Sequence, residues 1–179
     1  MTISDIWTLM PLLIIACGAL LVLLSGAILP GRYATFVGVV VALGAGFWAL
    51  QSPPGATPTM GMALAPIARF LIPLFSLTAA CTLLLSHDFN YREGLGGEEY
   101  PATVLFALFG MTVLVCAVNL LTLFLGLESL SFAFYILVAY DRNRSISSEA
   151  GLKYLLLGSI AAACTASYTV ALAIGAPAS

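Results

Sequence analysis

Glu128 is the only charge in the run LLTLFLGLESLSFAFYILVAY, Leu120 to Tyr140. If that run is a membrane helix, its carboxyl group lies roughly 8 residues, or ~12 Å, from the helix start. Insertion scales put the cost of such a charge at about 2.5–3.5 kcal/mol. It is normally kept only where it faces a bundle interior or a wet cavity. A protonatable group at that depth is a natural stepping stone for a proton. Gly126 allows close helix approach beside it, and the hydroxyls of Ser129 and Ser131 are placed to hydrogen-bond a carboxyl group.

Two more charged groups belong with it. Glu149 and Lys153 stand at i,i+4, on one helical face, with the acid N-terminal to the base. Lys153 is the only lysine. Glu98 and Glu99 precede Tyr100 and Pro101 at the head of another apolar run, where acids complement the helix dipole. In low dielectric a carboxylate rises in pKa and a lysine falls, so a neighbouring charge decides protonation. A Glu–Lys couple of changing separation would load or release a proton. Each feature also has a plainer reading. Glu128 would be a neutral donor between helices, Glu149 and Lys153 a helix-end ion pair with a snorkelling lysine, and Glu99 an interfacial residue. His87 reads as a solvated histidine in a polar loop. Tyr100, Tyr140 and Tyr154 read as interfacial anchors.

The elements that carry these groups follow from composition. Of 179 residues 61% are hydrophobic and 8% charged, against about 25% charged in an ordinary soluble domain. With a mean hydropathy of +1.09, too little polar surface remains to cover a soluble globule. The fold class is all-α integral membrane. Continuous rather than alternating apolar runs argue against a β-barrel. Six spans are predicted: Ile6–Leu29, Tyr33–Leu50, Pro66–Leu85, Tyr100–Val118, Leu120–Tyr140 and Ser148–Ile174. The first lacks the positive flank of a signal peptide. Pro11 and Pro73 fall inside spans as packing kinks. Gln51–Ala65, with Pro53-Pro54, is an uncharged connection. Ser86–Glu99 is the most polar stretch. Almost no loop separates the fourth and fifth spans, which makes them antiparallel neighbours.

Arg32, Arg92, Arg142 and Arg144 fall in alternate loops. The positive-inside rule therefore puts those loops in the cytoplasm and both termini outside. Cys17, Cys81, Cys116 and Cys164 lie one each in separate runs and read as buried small hydrophobes, with no metal-binding spacing. No basic patch points to nucleic acid.

The stretch Glu98 to Ser159 resembles the N subunit of bacterial NADH-quinone oxidoreductase, respiratory complex I. The resemblance is carried by EEY at the fourth span, LTLFLGLE leading to YILVAY, and SEAGLKYLLLG; upstream of Glu98 it is looser. It implies an antiporter-like membrane-arm subunit that helps move protons while NADH is oxidised elsewhere. Glu128 then matches the fifth-helix glutamate, Glu149 and Lys153 the charged pair of the sixth helix, and Glu99 the acid before the tyrosine of the fourth. These four are the expected proton-transfer residues. Residues 1–99 would form three N-terminal helices, and 100–179 the start of the first antiporter-like repeat. The implied setting is the bacterial inner membrane, with other membrane-arm subunits and the lipid bilayer as partners. No NADH, flavin, iron–sulfur, quinone or metal site is expected on the chain.

The family continues through a broken helix with a central lysine and a second inverted repeat, and this chain stops after the sixth span. It reads as a fragment, a split-gene half whose missing helices come from a separate chain, or a short relative. The alternatives from other classes are a subunit of a multisubunit cation/proton antiporter and a purely structural accessory chain.

Overall fold

A computed structural model describes residues 3–25, 32–52, 61–95 and 97–175. The Pro53-Pro54 connection, the predicted end of the first span beyond Ser25, and the tail 176–179 lie outside the described residues. Among the described residues there are six helices and no strand: α1 (Ile3–Ser25), α2 (Arg32–Gln51), α3 (Pro66–Arg92), α4 (Glu99–Cys116), α5 (Leu120–Val138) and α6 (Ser145–Gly175). Five of them, α2 to α6, are long and apolar enough to cross a membrane, and α1 adds the apolar stretch Leu9–Ser25. The protein is a multi-pass, all-helical membrane protein. In such a setting helices satisfy their own backbone groups. Most hydroxyls do the same by bonding back along the helix, as Thr82 to Thr78 O at 2.8 Å and Thr112 to Leu108 O at 2.8 Å.

Helices α1 to α4 share one core. Ile15 and Val22 of α1, Ala42 and Ala45 of α2, Leu83 of α3, and Leu105 and Leu108 of α4 are all buried in it. The small residues of α2 and α3 bring those backbones close: a Cβ at Gly46 would lie 2.8 Å from the Ser76 Cβ. Close approach through small side chains is how membrane helices gain dispersion contacts. Helix α5 packs on α4, and α6 packs on α5.

Two junctions fix the ends. At one membrane face the α2–α3 connection is stitched to the α4–α5 turn. Ala63 N donates to Cys116 O and Val118 N to Gly61 O, both at 2.8 Å, around a bridge between Met62 and Ala117. Gly61 takes a positive φ of 76° against Asn119 and Thr122, which leaves no room for a side chain. Also at this face, the Arg69 guanidinium donates to Leu50 O at 2.8 Å, a cation on the last carbonyls of α2.

At the opposite face α3 runs past its predicted end at Leu85 to Arg92. The polarity of Ser86–Arg92 suggests a loop, but nothing in that stretch breaks a helix. The first breaker is Gly94, at φ 72°. Around it Leu95 N bonds Asn90 O at 2.8 Å and Gly94 N bonds Tyr91 O at 3.4 Å, which closes the helix as a Schellman motif. His87 is therefore a half-buried helical residue and not a solvated loop one. Its Nδ1 lies 3.3 Å from Thr35 Oγ1, and its ring lies against Phe36.

Candidate functional site

Helix α5 starts where Asn119 ends the turn from α4. The Asn119 side chain accepts from Thr122 N at 2.7 Å, an N-cap that sets the first turn. Glu128 is then two turns into a helix of 19 residues. The α4 face of α5 is made by Gly126 and Leu130. A Cβ at Gly126 would lie 2.8 Å from Leu114 N, and one at Gly110 of α4 would lie 2.6 Å from Leu130 N. Two glycines thus let the backbones touch.

The α6 face of α5 is different. Tyr135 packs edge-on against Tyr154 with ring centroids 5.0 Å apart, and its hydroxyl end rests on Gly158. Gly151 packs on Ala139 in the same strip. Residues 128, 132, 135 and 139 fall at i, i+4, i+7 and i+11, so Glu128 lies on the stripe that α6 covers higher up. The Glu128 side chain is half-buried and has no hydrogen-bond or ion-pair partner among the described residues. The Ser129 hydroxyl, expected to serve the carboxyl group, instead donates to Leu125 O at 2.8 Å. In a low-dielectric setting the backbone carbonyl one turn back is the nearer acceptor.

Lys153 and Glu149 do meet, Nζ to Oε1 at 2.6 Å. Both are largely exposed, at 69% and 64%. Their place is early in α6, near the membrane face that carries the other charges. Lys153 is level with Ile136, because its neighbour Tyr154 packs on Tyr135. Glu128 lies eight residues nearer the start of α5, about 12 Å deeper. The structure therefore joins the Glu149–Lys153 couple and sets it apart from Glu128.

Glu99 opens α4 at that same face. Its Oε2 is 3.9 Å from Arg142 Nη2 of the α5–α6 connection. Arg144 adds contacts to Glu93 at 3.8 Å and Asp141 at 3.1 Å. Tyr140 closes the group. Its ring is edge-on to Tyr100 at 5.4 Å and its hydroxyl donates to Leu95 O at 3.0 Å. Burial, then the Glu99 charge, raises the Tyr140 phenol above its ordinary pKa. Tyr140 and Tyr100 remain at the membrane boundary, whereas Tyr154 serves the α5–α6 interface.

Sequence reasoning missed Arg142 and Tyr135 as members of this neighbourhood. In sequence Arg142 carries only an orientation signal, and nothing there ties it to Glu99. Tyr135 stands seven residues from Glu128, a helical spacing that would have placed it on the same stripe. Among the described residues no three His, Cys, Asp or Glu side chains gather as a metal site requires. The four cysteines are free. Cys116 is buried, but Cys17, Cys81 and Cys164 are exposed, which corrects the expectation of four buried thiols. In a membrane protein the outward faces are as apolar as the core, so an apolar run does not mark a buried one.

Comparison with known proteins bears on the same region. Residues 117–166, which hold α5 and most of α6, match the family described as NADH:quinone oxidoreductase/Mrp antiporter, TM. NADH-quinone oxidoreductase subunit N of Geotalea uraniireducens is 64% identical over 93% of this chain and 36% of its own length. The subunit N of Geobacter metallireducens is 56% identical over 98% of this chain and 38% of its own. That of Syntrophotalea carbinolica is 38% identical over 93% and 35%. The chain spans little more than a third of the length of these relatives. By sequence it is a relative of NADH-quinone oxidoreductase subunit N, aligned over nearly all of its own residues.

Proposed function

We propose that this chain is part of a membrane-arm subunit of a proton-translocating NADH-quinone oxidoreductase, with Glu128 as its membrane-embedded proton-transfer group. One observation carries the reading: a half-buried carboxyl group, two turns into a membrane helix, on the helix face that further on carries Tyr135 and Ala139 against α6. Keeping a charge at that depth is costly, so a carboxyl group with no partner among the described residues points to a functional reason. Glu149 and Lys153 act as a titratable couple at the membrane face, and Glu99 as a third acid beside Arg142. Redox chemistry belongs to other subunits, the partners of this chain in the complex. The host is a bacterial inner membrane, with Arg32, Arg92, Arg142 and Arg144 at its cytoplasmic side and both termini periplasmic.

The test is Glu128→Gln in the assembled complex, with NADH oxidation and proton pumping measured together. Pumping per NADH should fall severalfold while assembly is retained. Normal pumping in a fully assembled variant defeats the assignment. Sodium-dependent transport without NADH would instead favour the antiporter branch named in the family description.

A further inference from the structure

A half-open apolar groove of about 490 Å³ runs between α1, α4 and α5. Ala16, Leu20 and Leu23 of α1 face Ala102, Phe106 and Phe109 of α4 across it. Its mouth is Glu99, which also borders a second cavity of about 380 Å³ together with Tyr140 and Arg142. From Glu99 to Phe109 is ten residues of helix, about 15 Å. That is about half of the ~30 Å hydrocarbon thickness of a bilayer. The groove therefore has the depth of one leaflet, with charges where headgroups lie.

The charges at the mouth are incompletely used. Arg142 Nη2 and Glu99 Oε2 stand 3.9 Å apart, and the two side chains are 82% and 60% exposed. Such a loose surface pair contributes little. It leaves most of the guanidinium donors and carboxylate acceptors free for another group. A singly anionic headgroup would satisfy Arg142 but set its charge beside the Glu99 carboxylate. A choline headgroup brings a positive charge but no N–H to donate. A phosphate linked to a primary ammonium answers both side chains, the phosphate on Arg142 and the ammonium on Glu99.

We propose that this groove is a binding site for one phosphatidylethanolamine, with an acyl chain along α1 and α4 and the headgroup bridging Arg142 and Glu99. The site shares Glu99 and Arg142 with the proton-transfer reading but not Glu128, and its apolar wall is made by α1, α4 and Ile136 of α5, so lipid retention tests it separately from pumping.

The test is native mass spectrometry of the full chain, stripped of lipid and then offered equal amounts of phosphatidylethanolamine, phosphatidylglycerol and phosphatidylcholine. The unaltered chain should retain phosphatidylethanolamine preferentially. Arg142→Gln should weaken retention of phosphatidylethanolamine and phosphatidylglycerol alike, by about tenfold for one charge-assisted hydrogen bond. Glu99→Gln should abolish the preference between those two. Ala16→Phe should block the acyl channel; if it does not fold, the exposed Arg142→Gln and Glu99→Gln still decide. Equal retention of all three lipids, a preference unchanged in Glu99→Gln, or displacement of lipid by a quinone supplied in equal amount would overturn the proposal.

Discussion

At the scale of single residues, the chain separates charge that is kept for structure from charge that is not. Arg69 sits on the carbonyl of Leu50, and Arg144 is shared between Glu93 and Asp141. Glu128 has no such anchor among the described residues. Tyr140 offers a pH test of the charged face. Its phenol titrates above the ordinary value of about 10. The unfolded chain then loses its proton first as pH rises. Stability is unaffected below the unfolded value and is lost as pH climbs towards the folded one. Tyr140→Phe should remove this alkaline loss and should cost about 0.5–1.5 kcal/mol at neutral pH through the missing bond to Leu95. Alkaline unfolding of the two proteins, followed by circular dichroism, checks both signs. Glu149→Gln should shift stability by less than about 0.5 kcal/mol, since exposed i,i+4 pairs contribute little; thermal unfolding measures it.

At the scale of elements, α5 is positioned by its cap and by glycines rather than by its apolar surface. The Asn119 cap and the Gly110–Leu130 approach set its register on α4. Gly110→Ala forces a Cβ to within 2.6 Å of the Leu130 amide. It should destabilise by about 1–3 kcal/mol, because backbone on both sides cannot yield as a flexible side chain does. Asn119→Ala should cost about 0.5–2 kcal/mol. Denaturation in mild detergent, compared with the unaltered chain, measures each. The start of α5 at Leu120 and the short α4–α5 turn were legible in sequence, because two long apolar runs meet around Ala117-Val118-Asn119 with almost no loop. The length of α3 was not. Ser86 to Arg92 is polar without being helix-breaking, and polarity marks the membrane boundary rather than the helix end. Only Gly94, through its positive φ, stops the helix.

At the scale of the whole molecule, the helices alternate in direction, and four of the five arginines gather at one membrane face, with Arg69 at the other on the end of α2. Arg92 closes α3, Arg142 and Arg144 lie between α5 and α6, and Arg32 opens α2. Cysteines substituted at Arg92 and Arg142 should react with a membrane-impermeant maleimide from the same side, and one at Pro66 only from the other. Labelling of inverted and right-side-out vesicles decides it. Helix α6 is the least covered element, packed on α5 alone among its neighbours. Its outward Leu156, Leu157 and Ile160 are exposed, as suits a surface against lipid or further helices.

The sequence by itself determined the class, the number of helices, their alternation and the identity of the charged groups. Those properties follow from transfer free energies, which depend on residue type and run length and need no knowledge of neighbours. Which charges meet across elements was decided by the tertiary structure alone. Glu149 and Lys153 pair within one helix, as their i,i+4 spacing implied, whereas Glu99 and Arg142 meet because α4 returns to the α5–α6 connection. Glu128 stays apart from Lys153 because antiparallel packing sets them at different depths. Register and relative depth come from how side chains interlock, and in a membrane every face is apolar, so no hydrophobic pattern announces which face will be buried.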